Sequence, residues 1–328
     1  MKSVLGIFLF LCVGANAATA SGKPVDCSPR QLASTEVSVG EHILVPVEYH
    51  GQRLWMVLDL GQPFSLLWPS AAESLHLRTA RLDDRPDGFK LKIDGQSVTI
   101  TAVVDTLKIG SYRIARRDFF VDPRARPNES PSDHTVLGSL GISELWPVDF
   151  ELDLAHRRFN LYSADHCPKA PADWPDRYSR IPMELNELGS VYFPLELDGS
   201  KIEAAFSTTS LETSMSTDVS RQVFGFDEHS PRAQVQIDGS GKSYTSFRAK
   251  TLAAGDLRLS DVAIRLAPAK KYCTLSNTGT FGDVAEFKGR DDHLCYGVYP
   301  LVLGRQVIEH LRLYFAIREK IIYVTASE

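Results

Sequence analysis

The chain has 328 residues, with 41 acidic side chains against 36 basic ones and a formal net charge of −5. That balance argues against a nucleic-acid partner or an anionic membrane surface. Nine histidines are scattered without metal-ligand spacing, and no glycine-rich phosphate loop is present, so neither a metal nor a cofactor is expected.

The first segment joins a basic start, Met1-Lys2, to an apolar run from Val4 to Val13 and the small residues Ala15-Asn16-Ala17-Ala18-Thr19-Ala20. This is the pattern of a secretory signal peptide over residues 1–20, too short for a membrane anchor. Export to the periplasm or the medium is expected, with no membrane span in the mature protein. Cleavage leaves about 308 residues, more than one compact core favours and suited to two domains. Four cysteines then remain, Cys27, Cys167, Cys273 and Cys295. An even count in an exported chain favours disulfides, with three connectivities open.

Next comes a hairpin. Val45, Val47 and Tyr49 alternate up to His50-Gly51, and Leu54-Trp55-Met56-Val57-Leu58 reads as a buried strand that ends on a carboxylate, Asp59. Ser70-Ala71-Ala72-Glu73 has capping-box spacing, which predicts a short helix starting at Ser70 behind Pro69. A second hairpin is expected around Asp94-Gly95. Val136-Leu137-Gly138 leads into an expected short helix, and an alternating tail, "VDFELDLAHRRFNLY", closes the unit.

The order then recurs. Shifted by 148 positions, "ILVPVEYHGQRLWMVLDLGQPFSLLWPS" falls on "SVYFPLELDGSKIEAAFSTTSLETSMST" without a gap. "TLKIG" answers "TLAAG", and the run through Val136-Leu137-Gly138 answers that through Val302-Leu303-Gly304. Units this long are duplicated domains, not solenoid repeats. The expected division is a first lobe over 27–167, a proline-rich linker over 168–180 and a second lobe over 181–328. Cysteine pairing within each unit, Cys27 with Cys167 and Cys273 with Cys295, follows from this division.

A strand ending in hydrophobic-Asp-x-Gly, with Val-Leu-Gly further on, resembles the aspartic peptidases, and most nearly their retropepsin-like bacterial branch, duplicated as in pepsin. The resemblance implies a mostly β, bilobal acid-protease fold: two homologous barrel-like lobes with short helices and a cleft between them. It also implies one Asp-Thr/Ser-Gly loop per lobe, two aspartates sharing a proton, and a hydroxyl beside each that bonds across the lobes. Here the first loop is Asp59-Leu60-Gly61 and the second is Ser207-Thr208-Thr209. Thr208 keeps the bonding hydroxyl, whereas Ser207 stands where the second carboxylate belongs. Thr209 replaces a glycine that the loop is expected to need for positive φ.

The expected function is therefore an aspartic-peptidase homologue of impaired activity that still binds an extended peptide or protein segment. Phe64, Leu66 and Trp68 are candidates to line the cleft, with core packing as the alternative for each. One other expectation is an active endopeptidase, with Asp59 joined by a carboxylate from a dimer or by Asp198 or Asp218. The last is a non-catalytic envelope scaffold.

Overall fold

The computed structural model describes residues 27–84, 91–93, 96–123, 135–171, 173–185, 189–237, 241–267, 271–275, 293–297 and 300–327. The expected signal peptide and the Asp94-Gly95 turn lie outside them. The fold is mostly β and bilobal, with a sheet of ten strands in the first lobe, one of eight in the second, and a six-stranded sheet shared by both. No helix among the described residues is long and apolar enough to cross a membrane.

Each lobe opens on the same hairpin, and the turn chemistry explains why. Ile43–Tyr49 pairs with Gln52–Asp59 around His50 and Gly51, at φ 47° and 81°. Val191–Leu197 pairs with Ser200–Phe206 around Asp198 and Gly199, at 49° and 83°. Positive φ at both central residues gives the turn whose twist matches that of the flanking strands. Each second strand then lies parallel to a later one. Leu140 and Gly141 pair with Leu58 and Asp59, and Val302 and Leu303 pair with Ala205 and Phe206.

This register corrects the sequence alignment of the later motif. Gly141, not Gly138, is the counterpart of Gly304, because Leu140 pairs with Leu58 just before Asp59 as Leu303 pairs with Phe206 just before Ser207. Gly138 has its own reason to lack a side chain, since a Cβ there would lie 2.0 Å from the Leu66 carbonyl oxygen. The helix near Ser70 also starts earlier than expected. It spans Pro69–Ser74 with Trp68 as N-cap and no side-chain cap, so proline at the first helical position sets its start. After Gly141 the predicted helix is a 3-10 turn, Ile142–Leu145, and after Gly304 it is a single α-turn, Arg305–Ile308.

The shared sheet joins the lobes edge to edge. Its order is Gln31–Glu36, Arg158–Ser163, Val148–Asp153, Leu311–Ala316, Ile321–Ala326 and Ser179–Pro182. At the seam Glu151 faces Tyr314, and Phe150 stacks on Phe315 at 4.4 Å between ring centroids. The proline-rich segment lies packed against this sheet. Trp174 is buried with Tyr162, Tyr314 and Tyr323, and Arg312 lies over its ring. A disulfide joins Cys27 to Cys167, and the backbone register sets Cys273 opposite Cys295.

His166 fastens the same segment to the sheet through a side chain that is 1% exposed. Nδ1 lies 2.6 Å from the Cys167 carbonyl oxygen, and Nε2 lies 2.6 Å from Asp149 Oδ2. A carbonyl can only accept and a carboxylate accepts when ionised, so this geometry suits an imidazolium that donates from both nitrogens. Burial opposes that charge, but the Cys167 carbonyl, Asp149 and Glu319 outweigh it and hold the histidine above its ordinary pKa. A raised folded pKa stabilises the protein fully below the unfolded value near 6.5, and that contribution is lost as pH climbs through the folded value. The melting temperature is therefore expected to fall from about pH 6 upward, and His166→Gln is expected to flatten that slope in a calorimetric pH series.

Candidate functional site

Asp59 stands half-buried at the end of its strand, beside the parallel strand that carries Gly141. The chain then turns sharply, with the Gly61 N–H donating to Asp59 Oδ1 at 3.2 Å and the Gln62 N–H to the Asp59 carbonyl at 3.3 Å. Three bonds strap this loop to the crossing strand. Ser65 Oγ accepts from the Gly141 N–H at 3.0 Å, and Gln62 and Pro63 carbonyls accept from Ile142 and Ser143. The second lobe repeats all three. Thr213 Oγ1 accepts from the Gly304 N–H at 3.1 Å, and Ser210 and Leu211 carbonyls accept from Arg305 and Gln306.

The glycines permit this close strapping. A Cβ on Gly141 would lie 2.4 Å from Phe64 backbone atoms, and one on Gly304 would lie 2.3 Å from the Glu212 carbonyl oxygen. Ser65 and Thr213 were not singled out from the sequence, although they occupy the same place in the repeat.

The two loops meet through Thr208, which is fully buried. Its hydroxyl donates to the Leu58 carbonyl at 2.6 Å and accepts from the Leu60 N–H at 3.0 Å, a contact between residues 148 positions apart. Leu60 has no hydroxyl to return the bond, and its side chain packs into the core at 3% exposure. Arg305 adds a second tie from the other lobe, donating to the Gly40 carbonyl at 2.6 Å.

Gly61 touches both loops. A Cβ there would lie 3.5 Å from Asp59 Oδ1, 3.3 Å from the Phe206 carbonyl oxygen and 3.9 Å from Ser207 Cα. Its φ is not positive, which corrects the expected conformational need: a Cβ here would crowd the Phe206 carbonyl by only a few tenths of an ångström, and Thr209 carries no comparable φ strain. Ser207 is buried, and its hydroxyl accepts from the Ser210 N–H at 3.1 Å and lies 3.3 Å from Thr209 Oγ1.

Neither aspartate considered as a substitute reaches the loop. Asp218 is 78% exposed in the first turn of Thr217–Phe224. Asp198 sits at the far end of Ser200–Phe206, on the order of 20 Å from Ser207 at strand rise, and accepts from the Thr251 N–H. Glu144 lies behind Ser65 in the first lobe. Burial raises its pKa, while Arg117 and hydrogen bonds from Ser143 and Ser65 oppose the shift. Phe64 and Leu66 are buried in a small apolar cluster, and Trp68 in the main core.

Residues 45–143 match the family model of the aspartyl proteases. The aspartyl-protease match runs from the first hairpin through the Asp59 loop to the strapping strand, and the chain is aspartic-peptidase-like. No curated protein gives a match. Among solved structures, one similar chain is conglutin gamma, described as a unique basic 7S globulin from lupine seeds. It is 11% identical, covering 92% of this chain and 96% of that one, with a TM-score of 0.48.

Thr208 offers a direct test of the junction. Thr208→Val keeps the shape but leaves the Leu60 N–H and the Leu58 carbonyl without their hydroxyl partner in a buried place. It is expected to cost about 2–3 kcal/mol in urea unfolding, while Thr208→Ser retains most of the stability.

Proposed function

We propose that this exported protein binds an extended peptide segment in the cleft between its lobes and does not hydrolyse it. The observation that carries this reading is Ser207 at the position of the repeat equivalent to Asp59, in a loop whose neighbour Thr208 bonds to the backbone on both sides of Leu60. Hydrolysis by this type of site needs one carboxylate as base toward water and another group as acid toward the scissile carbonyl. A serine hydroxyl neither shares a proton with Asp59 near neutral pH nor supplies an acid of suitable pKa. Nor is Ser207 equipped as a nucleophile, because Thr209 Oγ1 and the Ser210 N–H, its hydroxyl's neighbours, are not bases.

Dimeric rescue has no support, since the face that a second Asp59 would need is taken by Thr208 of the same chain. What survives is the frame: two strapped loops, a buried tie between lobes, and the antiparallel hairpin Leu91–Ile93 with Gln96–Val98. Strand-like hydrogen bonding to such a frame requires no catalytic pair. The Cys27–Cys167 disulfide supports an oxidising destination, and the register of Cys273 with Cys295 supports a second bridge.

Calorimetric titration with blocked extended peptides, followed by mass spectrometry of the same mixtures between pH 3 and 7, tests the reading. Saturable binding with intact peptides is expected. Cleavage that disappears in Asp59→Ala would overturn it.

A further inference from the structure

A covalent bridge and a buried histidine fasten the same turn of the proline-rich segment. Cys167 is joined to Cys27, and the imidazole of the preceding residue, His166, is buried against the shared sheet. The stretch that carries Cys27 is fixed separately, because the Ser163 N–H donates to the Arg30 carbonyl at 2.9 Å. Cys167 lies beyond Ser163, in the turn that His166 pins. Between Ser163 and Ala170 two further ties lie at the surface. Arg318 reaches Asp165 at 3.4 Å, and the Lys169 N–H reaches Glu319 at 3.3 Å.

The sheet side of this contact holds without the histidine. Asp149 accepts from the Ile317 N–H and from the Tyr314 hydroxyl, each at 2.9 Å. Glu319, 3.8 Å from Nδ1, accepts from the Tyr323 hydroxyl at 2.7 Å. The groups facing the imidazole are therefore Asp149, Glu319, the Tyr314 hydroxyl 3.1 Å from Nε2, and the Cys167 carbonyl. A neutral imidazole keeps one N–H, so either the Cys167 carbonyl or Asp149 would then face a bare lone pair at 2.6 Å. Turning the Tyr314 hydroxyl onto Nε2 gives no relief, because it takes a donor from Asp149. Asp149 has other donors to hold it, so the turn around Cys167 is the part that gives way.

We propose that His166 is a proton-operated latch on the Cys27–Cys167 bridge: the imidazolium keeps the two sulfurs together, and loss of its proton lets a thiol reductant open the bridge. The reduction itself is ordinary exchange with a dithiol. One thiolate attacks a bridge sulfur and the other sulfur leaves as thiolate. The second thiolate of the reductant then closes its own ring and frees the first protein sulfur. Two electrons pass from the dithiol to the protein, which is left with two thiols. His166 takes no part in these steps. It acts by holding Cys167 where its sulfur recloses on Cys27, which raises the effective concentration of one thiol at the other. The two equilibria are reciprocal, so the bridge must in turn favour the protonated histidine. The proton affinity of His166 is indeed raised in the bridged protein, against the effect of burial.

Equilibration with reduced and oxidised dithiothreitol, approached from both directions at about pH 5.5 and pH 8, tests the latch. Alkylation and mass spectrometry of the Cys27 and Cys167 peptides give the bridged fraction at each pH. Relative to dithiothreitol, the bridge is expected to be about tenfold more stable at the lower pH, and in His166→Gln the difference is expected to stay within about twofold. The melting temperature of the variant reports whether its fold is intact. A second measurement needs no variant: the His166 titration midpoint, followed by NMR, is expected about one pH unit higher in the bridged than in the reduced protein. Equal midpoints in the two forms, or a bridge stability that varies with pH no more than in His166→Gln, would overturn the inference.

Discussion

One buried hydroxyl holds the two halves in register. Thr208 bonds to the backbone on both sides of Leu60, and so the loops of the two lobes meet at a fixed distance. Both bonds go to main-chain groups, so they depend on the path of the first loop and not on its side chains. This is why the junction tolerates Leu60 where a reciprocating hydroxyl would stand. The shared sheet joins the same two lobes through a buried seam, where Glu151 faces Tyr314 and Phe150 stacks on Phe315.

Frame and chemistry thus separate within this chain. The strapping bonds of Ser65 and Thr213, the close-packed Gly141 and Gly304, and the Thr208 tie all persist. The loops differ at Asp59 against Ser207, Leu60 against Thr208 and Gly61 against Thr209. Ser207 is tied within its own loop, since its hydroxyl accepts from the Ser210 N–H. The carboxylate of Asp59 performs a similar service for the Gly61 N–H. Each residue secures its own loop, although only one carries charge.

Much of this was legible in the sequence because the repeat is gapless through the first hairpin and loop. An offset of 148 pairs Asp59 with Ser207, and the same separation is found between the bonded Leu60 and Thr208. The legibility ended where the backbone departs from regular spacing. Gly138 and Gly141 both suit a hydrophobic-Gly pattern, and only the strand register and the packing on Phe64 show which one lies beneath the loop. Phe64, Leu66 and Trp68 illustrate a second limit, for an apolar residue beside a loop reads alike whether it faces a cleft or a core. The contact between His166 and Asp149 left no sequence signal at all, because it depends on how the proline-rich segment lies across the sheet.

Adding a second carboxylate tests the central proposal, that this aspartic-peptidase-like chain is inactive because Ser207 stands where a second aspartate would be needed. The triple variant Leu60→Thr, Ser207→Asp, Thr209→Gly supplies the reciprocal hydroxyl, the second acid and the small residue beside it. The measurement is hydrolysis of unfolded casein between pH 3 and 7. The account predicts no cleavage by the parent chain and cleavage by the variant that disappears when Asp59→Asn is added. A folded variant that stays inactive, or a parent chain whose own cleavage depends on Asp59, would contradict it.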